Sequence, residues 1–157
     1  LESFATTLGT SPTLVRLQLS KGGLINIEAK KIIDKEVYRL TLATNPVDPK
    51  EVFLYHKTTR RQIYDNYLRA NPGFDDVILF NTEGEVTESC IANIVVVKNG
   101  IHFTPPIRCG LLGGTYRQWL LDEGKLKERV ITLDSLKTYD DLYLVNSVRG
   151  RLNVSLK

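Results

Sequence analysis

The chain has 157 residues, which corresponds to about one domain of ordinary size. It carries 21 basic and 18 acidic residues, so its net charge of +3 is too small to indicate a nucleic-acid or membrane-surface partner. Apolar residues make up 42% of the sequence and charged residues 25%, proportions that exclude a disordered chain. We therefore expect a globular domain with a hydrophobic core.

Three further features of the composition bear on the class of protein. The sequence contains no methionine and begins at Leu1, from which we expect part of the front of the protein to be missing. Its two cysteines, Cys90 and Cys109, are too few for a disulfide framework and are expected to be small buried residues. Because the sequence has no apolar stretch of membrane-spanning length and no signal-peptide pattern, the expected location is the cytoplasm.

The front of the chain predicts the end of a helix, a hairpin and a linker. Residues Leu1–Leu8 are typical of the end of an amphipathic helix, which a glycine then stops. Val15–Leu19 and Leu24–Ile27 alternate apolar and polar residues around a glycine-containing turn, which predicts a β-hairpin. The charged stretch Ala29–Glu36 is predicted to link this part of the chain to the rest.

The remainder of the chain predicts several strands with a few helices between them. Strands or extended segments are expected at Val37–Ala43, Phe53–His56, Val77–Phe80, Ile94–Val97, Ile101–Phe103, Val130–Leu133 and Leu142–Val145. Helices are expected at Arg60–Arg69, at Thr115–Asp122 before Gly124, and close to Ser135. Strands separated by short helices indicate the α+β class.

Most familiar catalytic motifs are absent from the sequence. It contains no phosphate-binding GxxxxGK[ST] loop, no HExxH zinc motif and no GxSxG nucleophile elbow. It has only two histidines, His56 and His102, and no cluster of cysteine and histidine residues. We therefore expect no metal site.

Three local features point together to one cofactor. The glycines in Gly110–Arg117 precede a helix and would leave amide hydrogens free for a phosphate, although the segment could equally be an ordinary loop. Glu88, between a turn and an apolar strand, is either a solvated turn residue or a carboxylate facing a cationic ring nitrogen. Lys57 follows a mostly apolar segment, where partial removal from water would make its amine a nucleophile for an aldehyde; a solvated surface lysine is the alternative. Such a lysine, carboxylate and helix start are what pyridoxal phosphate requires.

The sequence around these residues resembles a known family. Val86–Asn93 is similar to the glutamate-centred signature of the class IV aminotransferases, the fold-type IV pyridoxal-phosphate enzymes. Within that family, Phe53–Arg61 and Val145–Gly150 resemble the aminodeoxychorismate lyase branch, in the form often fused behind aminodeoxychorismate (para-aminobenzoate) synthase component I. The resemblance covers nearly the whole chain, and further matching segments at the family's spacing are Thr104–Pro106, Cys109–Leu112 and Gly114–Arg117.

The resemblance implies a fold, a cofactor and roles for individual residues. The fold is the large domain of the D-amino-acid-aminotransferase-like enzymes at residues 34–157, preceded at 1–33 by the remnant of a smaller α/β domain. The cofactor is pyridoxal 5′-phosphate. Lys57 matches the lysine that binds the cofactor covalently and moves protons, and Glu88 matches the carboxylate on the pyridinium nitrogen. The phosphate-binding positions are Gly114, Thr115, Tyr116 and Ser147, and Asn93 is interpreted as shaping the turn that presents Glu88.

The implied reaction is elimination of pyruvate from 4-amino-4-deoxychorismate to give 4-aminobenzoate, a folate precursor. Arg61, Arg108 and Arg149 are candidates for binding the carboxylates of this small-molecule substrate, with surface arginines as the alternative interpretation. The family also implies a homodimer and a functional link to synthase component I, with no nucleic acid and no membrane as partner. It places a phosphate-binding arginine ahead of the helix that ends near Leu8, so weak cofactor binding and slow turnover are expected of this chain.

Two other functions remain open at this point. Transaminases of the family tend to carry Asn-Tyr soon after the lysine, whereas Arg60 and Arg61 stand here, which favours the lyase. A D- or branched-chain amino-acid aminotransferase is the first alternative. The second is a catalytically incompetent domain that serves as a structural or dimerisation partner.

Overall fold

The chain contains two compact units. The computed structural model describes residues 2–33 and 35–157. These residues form the units Leu1–Lys35 and Glu36–Lys157. The predicted division between residues 33 and 34 falls beside Asp34, which, like Leu1, lies outside the described residues.

The first unit consists of a short helix and a two-stranded antiparallel sheet. Helix α1 spans Glu2–Ala5, and strands β1 and β2 span Thr13–Leu19 and Ile25–Lys31, so the predicted hairpin is confirmed. The predicted linker Ala29–Glu36 is wrong in its first part, because residues 29–31 continue the ladder opposite residues 13–15. Both strands are largely exposed, so charged side chains are tolerated there.

The second unit is built on a mixed sheet of eight strands. They are β3 Tyr38–Leu42, β4 Asp76–Phe80, β5 Val86–Ser89, β6 Asn93–Lys98, β7 Ile101–Thr104, β8 Lys127–Glu128, β9 Asp141–Asn146 and β10 Gly150–Leu156. Their order in the sheet is β5-β4-β3-β10-β9-β6-β7-β8, and β5 also pairs with β6. Strands β3, β4, β5, β6, β9 and β10 therefore close into a ring.

The ring closes at one residue pair. Glu88 of β5 lies opposite Asn93 of β6, and this is the pairing recorded between the two strands within the described part of the chain. Further along, the same edge of β6 pairs instead with β7, through Val96 and Phe103 among others. The residue expected to bind the cofactor nitrogen thus lies where the ring is closed.

Helices α2 (Gln62–Ala70) and α3 (Thr115–Asp122) lie in this unit, with a one-turn helix α4 at Leu133–Leu136. The bounds of α3 agree with the prediction, and Gly124 takes the left-handed conformation (φ 67°) that ends a helix. The predicted helix from Arg60 begins two residues later in the structure.

Side chains alternate between the two faces of each strand, so the core has one cluster inside the ring and two clusters outside it. The inner cluster takes residues from every strand of the ring, and Ile94 and Val96 of β6 belong to it. The residue between them, Val95, belongs to a cluster that contacts α3, and a third cluster contains Tyr64 of α2. A side-chain period of two along each strand thus places both helices on the outside of the ring. The structure as a whole confirms the α+β class.

Two predictions about elements are wrong, and three strands were not predicted. Phe53–His56 is not extended: residues 52–54 form a 3₁₀ turn whose first amides are capped by Glu51, which accepts a hydrogen bond from the Phe53 amide at 3.2 Å. Val130–Leu133 is not a strand, because the Thr132 side chain caps α4 and the residue forms one isolated bridge to Glu85. Strands β5, β8 and β10 were not predicted.

Cys90 and Cys109 are free and buried, as expected of small apolar residues. In the described ranges, no helix has the length and apolar character needed to cross a membrane.

Candidate active site

Glu88 is a buried carboxyl group and not a solvated turn residue. Its side chain is 4% exposed, and the Tyr64 hydroxyl donates a hydrogen bond to its Oε1 at 2.7 Å. Burial raises the pKa of Glu88 to about 8, opposed by hydrogen bonds from Tyr64 and the Leu112 amide and by the charges of Lys57 and Arg61. The group therefore changes its protonation state close to neutral pH.

The turn that follows Glu88 is held from two sides. Beneath it, Asp76 Oδ1 accepts hydrogen bonds from the amides of Cys90 at 3.0 Å and Val77 at 2.8 Å. Asp76 is fully buried, and its pKa is raised by desolvation. From the N-cap position of helix α2, Arg61 Nη2 donates to the Cys90 carbonyl at 2.7 Å. Asp76 and Arg61 together fix the position of the backbone beyond Glu88.

Asn93 has a different role from the one inferred from the sequence. Its backbone pairs with Glu88, but its side chain contacts the loop before α3 and not the turn after Glu88. Asn93 Nδ2 donates to the Leu112 carbonyl at 2.8 Å, and Oδ1 fills the space that a Cβ on Gly114 would occupy. The interpretation that Asn93 shapes the turn presenting Glu88 is therefore corrected: Asn93 connects β6 to the start of α3.

The start of α3 contains three of the expected phosphate-binding positions, Gly114, Thr115 and Tyr116, and lies beside the fourth, Ser147. Gly114 is the N-cap residue and has no side chain that could occupy the first-turn amides. The hydroxyls of Thr115 and Ser147 lie 2.5 Å apart, although the two residues are 32 positions apart in sequence. The phenol oxygen of Tyr116 lies 3.7 Å from where a Cβ on Gly150 would be. Helix amides and two hydroxyls beside them form a suitable site for an anion.

Lys57 lies in an exposed segment between the 3₁₀ turn and α2. Residues 56–60 are all exposed, so the expected partial removal of Lys57 from water is wrong. Its charge nevertheless acts on Glu88, whose pKa it lowers. Lys57 and Glu88 are therefore close enough to interact electrostatically.

The three candidate substrate arginines have different surroundings. Arg61 is half-buried beside the turn after Glu88. Arg149 follows Ser147 by two residues, and its Nε is buried and lacks a hydrogen-bond partner among the described residues. Arg108 is exposed and pairs with Glu85 at 3.7 Å, which agrees with the surface interpretation.

Sequence reasoning missed three buried polar residues. Tyr64 and Asp76 contact the Glu88 segment, while Arg117 is fully buried and donates to the Pro105 carbonyl at 2.7 Å and to Glu128 at 2.6 Å. A signal for Tyr64 was available, since it lies on the apolar face of α2 and a buried phenol needs a polar partner. No comparable signal marked Asp76, because its partners come from a distant segment.

The donor set fits pyridoxal phosphate. A phosphate ester suits the open amides of α3 with the hydroxyls of Thr115 and Ser147, and a basic ring nitrogen suits the buried carboxyl of Glu88. Lys57 supplies the amine that an aldehyde needs. Over the described residues, no group of three histidine, cysteine, aspartate or glutamate side chains is arranged to hold a metal ion.

The chain is similar in sequence and structure to a known family. The family model for amino-transferase class IV matches residues 1–156. A Schizosaccharomyces pombe protein provisionally named aminodeoxychorismate lyase is 35% identical over 150 residues, covering 89% of this chain and 65% of that protein. The chain thus spans less than two thirds of the length of this curated relative.

Two solved structures are similar to the chain. One, from Mesorhizobium loti and provisionally described as an amino-acid aminotransferase, has a TM-score of 0.90 and 33% identity, covering 99% of this chain and 78% of that one. The other, from Legionella pneumophila and provisionally described as 4-amino-4-deoxychorismate lyase, has a TM-score of 0.77 and 26% identity, covering 84% and 52%. With its fold, its site and these similarities, the chain belongs to the class IV aminotransferases, a family of pyridoxal-phosphate-dependent enzymes.

Proposed function

We propose that this chain carries the cofactor site of an aminodeoxychorismate lyase, which eliminates pyruvate from 4-amino-4-deoxychorismate and forms 4-aminobenzoate, a folate precursor. The main support is the buried Glu88 carboxyl, which accepts a hydrogen bond from Tyr64 and interacts with the charge of Lys57. A carboxylate facing the ring nitrogen makes pyridoxal phosphate a strong electron acceptor, and this is the chemistry that the cofactor supplies when bound.

Each residue of the site has a defined task in this proposal. The Lys57 amine binds the cofactor and, once released by the substrate, removes the proton from the amine-bearing carbon. The same ammonium group returns a proton to the enolpyruvyl methylene as the ether bond breaks, so the elimination needs no further reactant. Thr115, Ser147 and the amides of α3 hold the phosphate, and Arg61 and Arg149 are the proposed binding groups for a substrate carboxylate.

A transaminase is the second candidate function. It is supported by the 33% identity to the Mesorhizobium loti structure described as an amino-acid aminotransferase. The lyase is favoured by the Schizosaccharomyces pombe relative and by Arg60 and Arg61, at positions where the transaminases tend to carry Asn-Tyr. Arg61 donates a hydrogen bond to the Cys90 carbonyl, so the residue that differs from the transaminase pattern contacts the turn after Glu88.

Product analysis separates these functions. The protein is incubated with pyridoxal phosphate and aminodeoxychorismate, and pyruvate is followed by coupling to lactate dehydrogenase. In parallel it is given D-alanine or L-leucine with 2-oxoglutarate. We expect pyruvate from aminodeoxychorismate, and none above background with Lys57→Ala. Keto acid from the amino acids without pyruvate from aminodeoxychorismate would establish the transaminase, and no product from either would favour the incompetent domain.

The homodimer is a separate proposal, tested by the molar mass in solution.

A further inference from the structure

The start of α2 contacts the Glu88 segment at two points, through its N-cap residue Arg61 and through Tyr64 in its first turn. Tyr64 donates its hydroxyl to Glu88 Oε1 at 2.7 Å, and Arg61 donates Nη2 to the Cys90 carbonyl at 2.7 Å. The Arg61 guanidinium also lies 4.9 Å from the centre of the Tyr64 ring, so the two side chains support each other. The start of α2 thus contacts both the Glu88 side chain and the backbone that follows it.

The contact between Tyr64 and Glu88 is shielded from water. Tyr64 is 7% exposed and Glu88 is 4% exposed, so neither group can exchange its partner for solvent without opening the structure. Burial and the nearby carboxyl raise the pKa of the Tyr64 phenol well above its ordinary value, which keeps its proton in place. The phenol is therefore a permanent donor toward Glu88 whenever that group is ionised.

We propose that Tyr64 is a positioning residue of the active site, whose hydroxyl orients the Glu88 carboxylate and favours its ionised form for the cofactor ring nitrogen. This inference rests on the proposed cofactor site and adds a residue to it. Arg61 assists by fixing the carbonyl of Cys90, two residues beyond Glu88. Lys57 lies four residues before Arg61, so one continuous segment carries the lysine and also contacts the Glu88 region.

The variant that tests this is Tyr64→Phe, which removes only the hydroxyl. Tyr67→Phe is a matched control, because Tyr67 lies one turn further along α2 and donates its hydroxyl to the Asn45 carbonyl at 2.8 Å instead. The pKa of Glu88 is measured in the cofactor-free protein from its carboxyl carbon resonance. We expect Tyr64→Phe to raise this pKa by about one unit, as the loss of a donor to an ionised group should, and Tyr67→Phe to leave it unchanged.

Cofactor titration separates this inference from the function on which it rests. Pyridoxal phosphate is added to each protein and binding is followed by absorbance. We expect Tyr64→Phe to bind about tenfold more weakly than wild type and Tyr67→Phe to bind as wild type does. Binding by wild type with an unchanged Glu88 pKa and unchanged affinity in Tyr64→Phe would overturn the role of Tyr64 alone. Failure of the wild-type protein to bind would overturn both proposals.

A second measurement does not depend on the folding of the Tyr64 variant. In Glu88→Gln the carboxylate that raises the Tyr64 pKa is replaced by a neutral amide. The ring Cζ carbon resonance of Tyr64 should follow the titration of Glu88 in wild type and lose this pH dependence in Glu88→Gln. A Tyr64 resonance that does not change with pH in wild type, or that changes equally in the variant, would show that the two groups are not coupled and would contradict the proposal.

Discussion

The side chain of Asn93 fills the space that a side chain at Gly114 would need. Asn93 Oδ1 is the nearest atom to that position, and Asn93 Nδ2 is bonded to the Leu112 carbonyl at 2.8 Å. The backbone of Gly114 has φ −63° and ψ 140°, which any residue adopts. Glycine is therefore required at this position by the approach of Asn93 and not by backbone conformation.

Gly114→Ala should accordingly destabilise the protein and weaken cofactor binding. The added methyl group displaces Asn93, and we expect a loss of about 1–3 kcal/mol in the free energy of unfolding, measured with urea. Gly113→Ala is the control, since its Cβ would meet only the flexible end of Ile107 at 3.0 Å. Equal losses from the two variants would contradict a specific requirement at Gly114.

The raised pKa of Glu88 predicts that stability falls as the pH increases. The folded protein holds this proton up to about pH 8, whereas an unfolded chain releases it near 4.5. Between those values the native state binds more protons, so the free energy of unfolding decreases with pH, by at most about 5 kcal/mol. Asp76, whose pKa is also raised by burial, contributes in the same direction.

Glu88→Gln tests this assignment, because an amide does not titrate. Urea unfolding between pH 5 and 9 should show a clearly flatter dependence in this variant than in wild type. Glu83→Gln, at an exposed position on the turn before β5, should keep the wild-type slope. A wild-type slope in Glu88→Gln would mean that Glu88 is ionised throughout this range.

Lys57→Ala should abolish covalent attachment of the cofactor without affecting the fold. Its side chain is exposed, so the free energy of unfolding should change by less than about 0.5 kcal/mol. Wild-type protein with pyridoxal phosphate should show the absorbance band of the lysine linkage at about 410–430 nm, and the variant should not. Lys50→Ala, another exposed lysine before the 3₁₀ turn, should keep the band; a band that survives Lys57→Ala would point to a different lysine.

The hydroxyl pair of Thr115 and Ser147 predicts a selective effect on the phosphate. Thr115→Val and Ser147→Ala should each weaken binding of pyridoxal phosphate about tenfold, because each removes a donor to a charged group. Binding of pyridoxal, which lacks the phosphate, should be unchanged. If the variants bound pyridoxal phosphate and pyridoxal with equally reduced affinity, the two hydroxyls would not be contacting the phosphate.

Features with short-range causes were predictable from the sequence. Helix α3 was found because Gly114 and Gly124 mark its ends, and the hairpin β1–β2 because alternation and a glycine turn lie within one short stretch. Phe53–His56 and Val130–Leu133 were misassigned because apolar and β-branched residues suggest strands. In both cases a neighbouring polar side chain, from Glu51 or Thr132, caps a turn of helix instead.

Features that depend on distant partners could not be predicted in the same way. Strand β10 pairs in parallel with β3, opposite Tyr38, from the other end of the second unit. The bond between Tyr64 and Glu88 joins residues 24 positions apart, and the resemblance that located Lys57 and Glu88 carried no information about it. Glu88 is buried because it lies where the ring closes, and the residues next to it in sequence do not indicate that closure.

That closure has a consequence for how a ligand and the fold stabilise each other. The ring is joined at Glu88 and Asn93, with Glu88 facing the proposed ring nitrogen and Asn93 anchoring the proposed phosphate-binding helix. A cofactor bound at both ends would connect strands β5 and β6 across the residue pair that closes the ring. Because such a ligand binds the closed ring and not the unfolded chain, its free energy of binding would add to the stability of the ring.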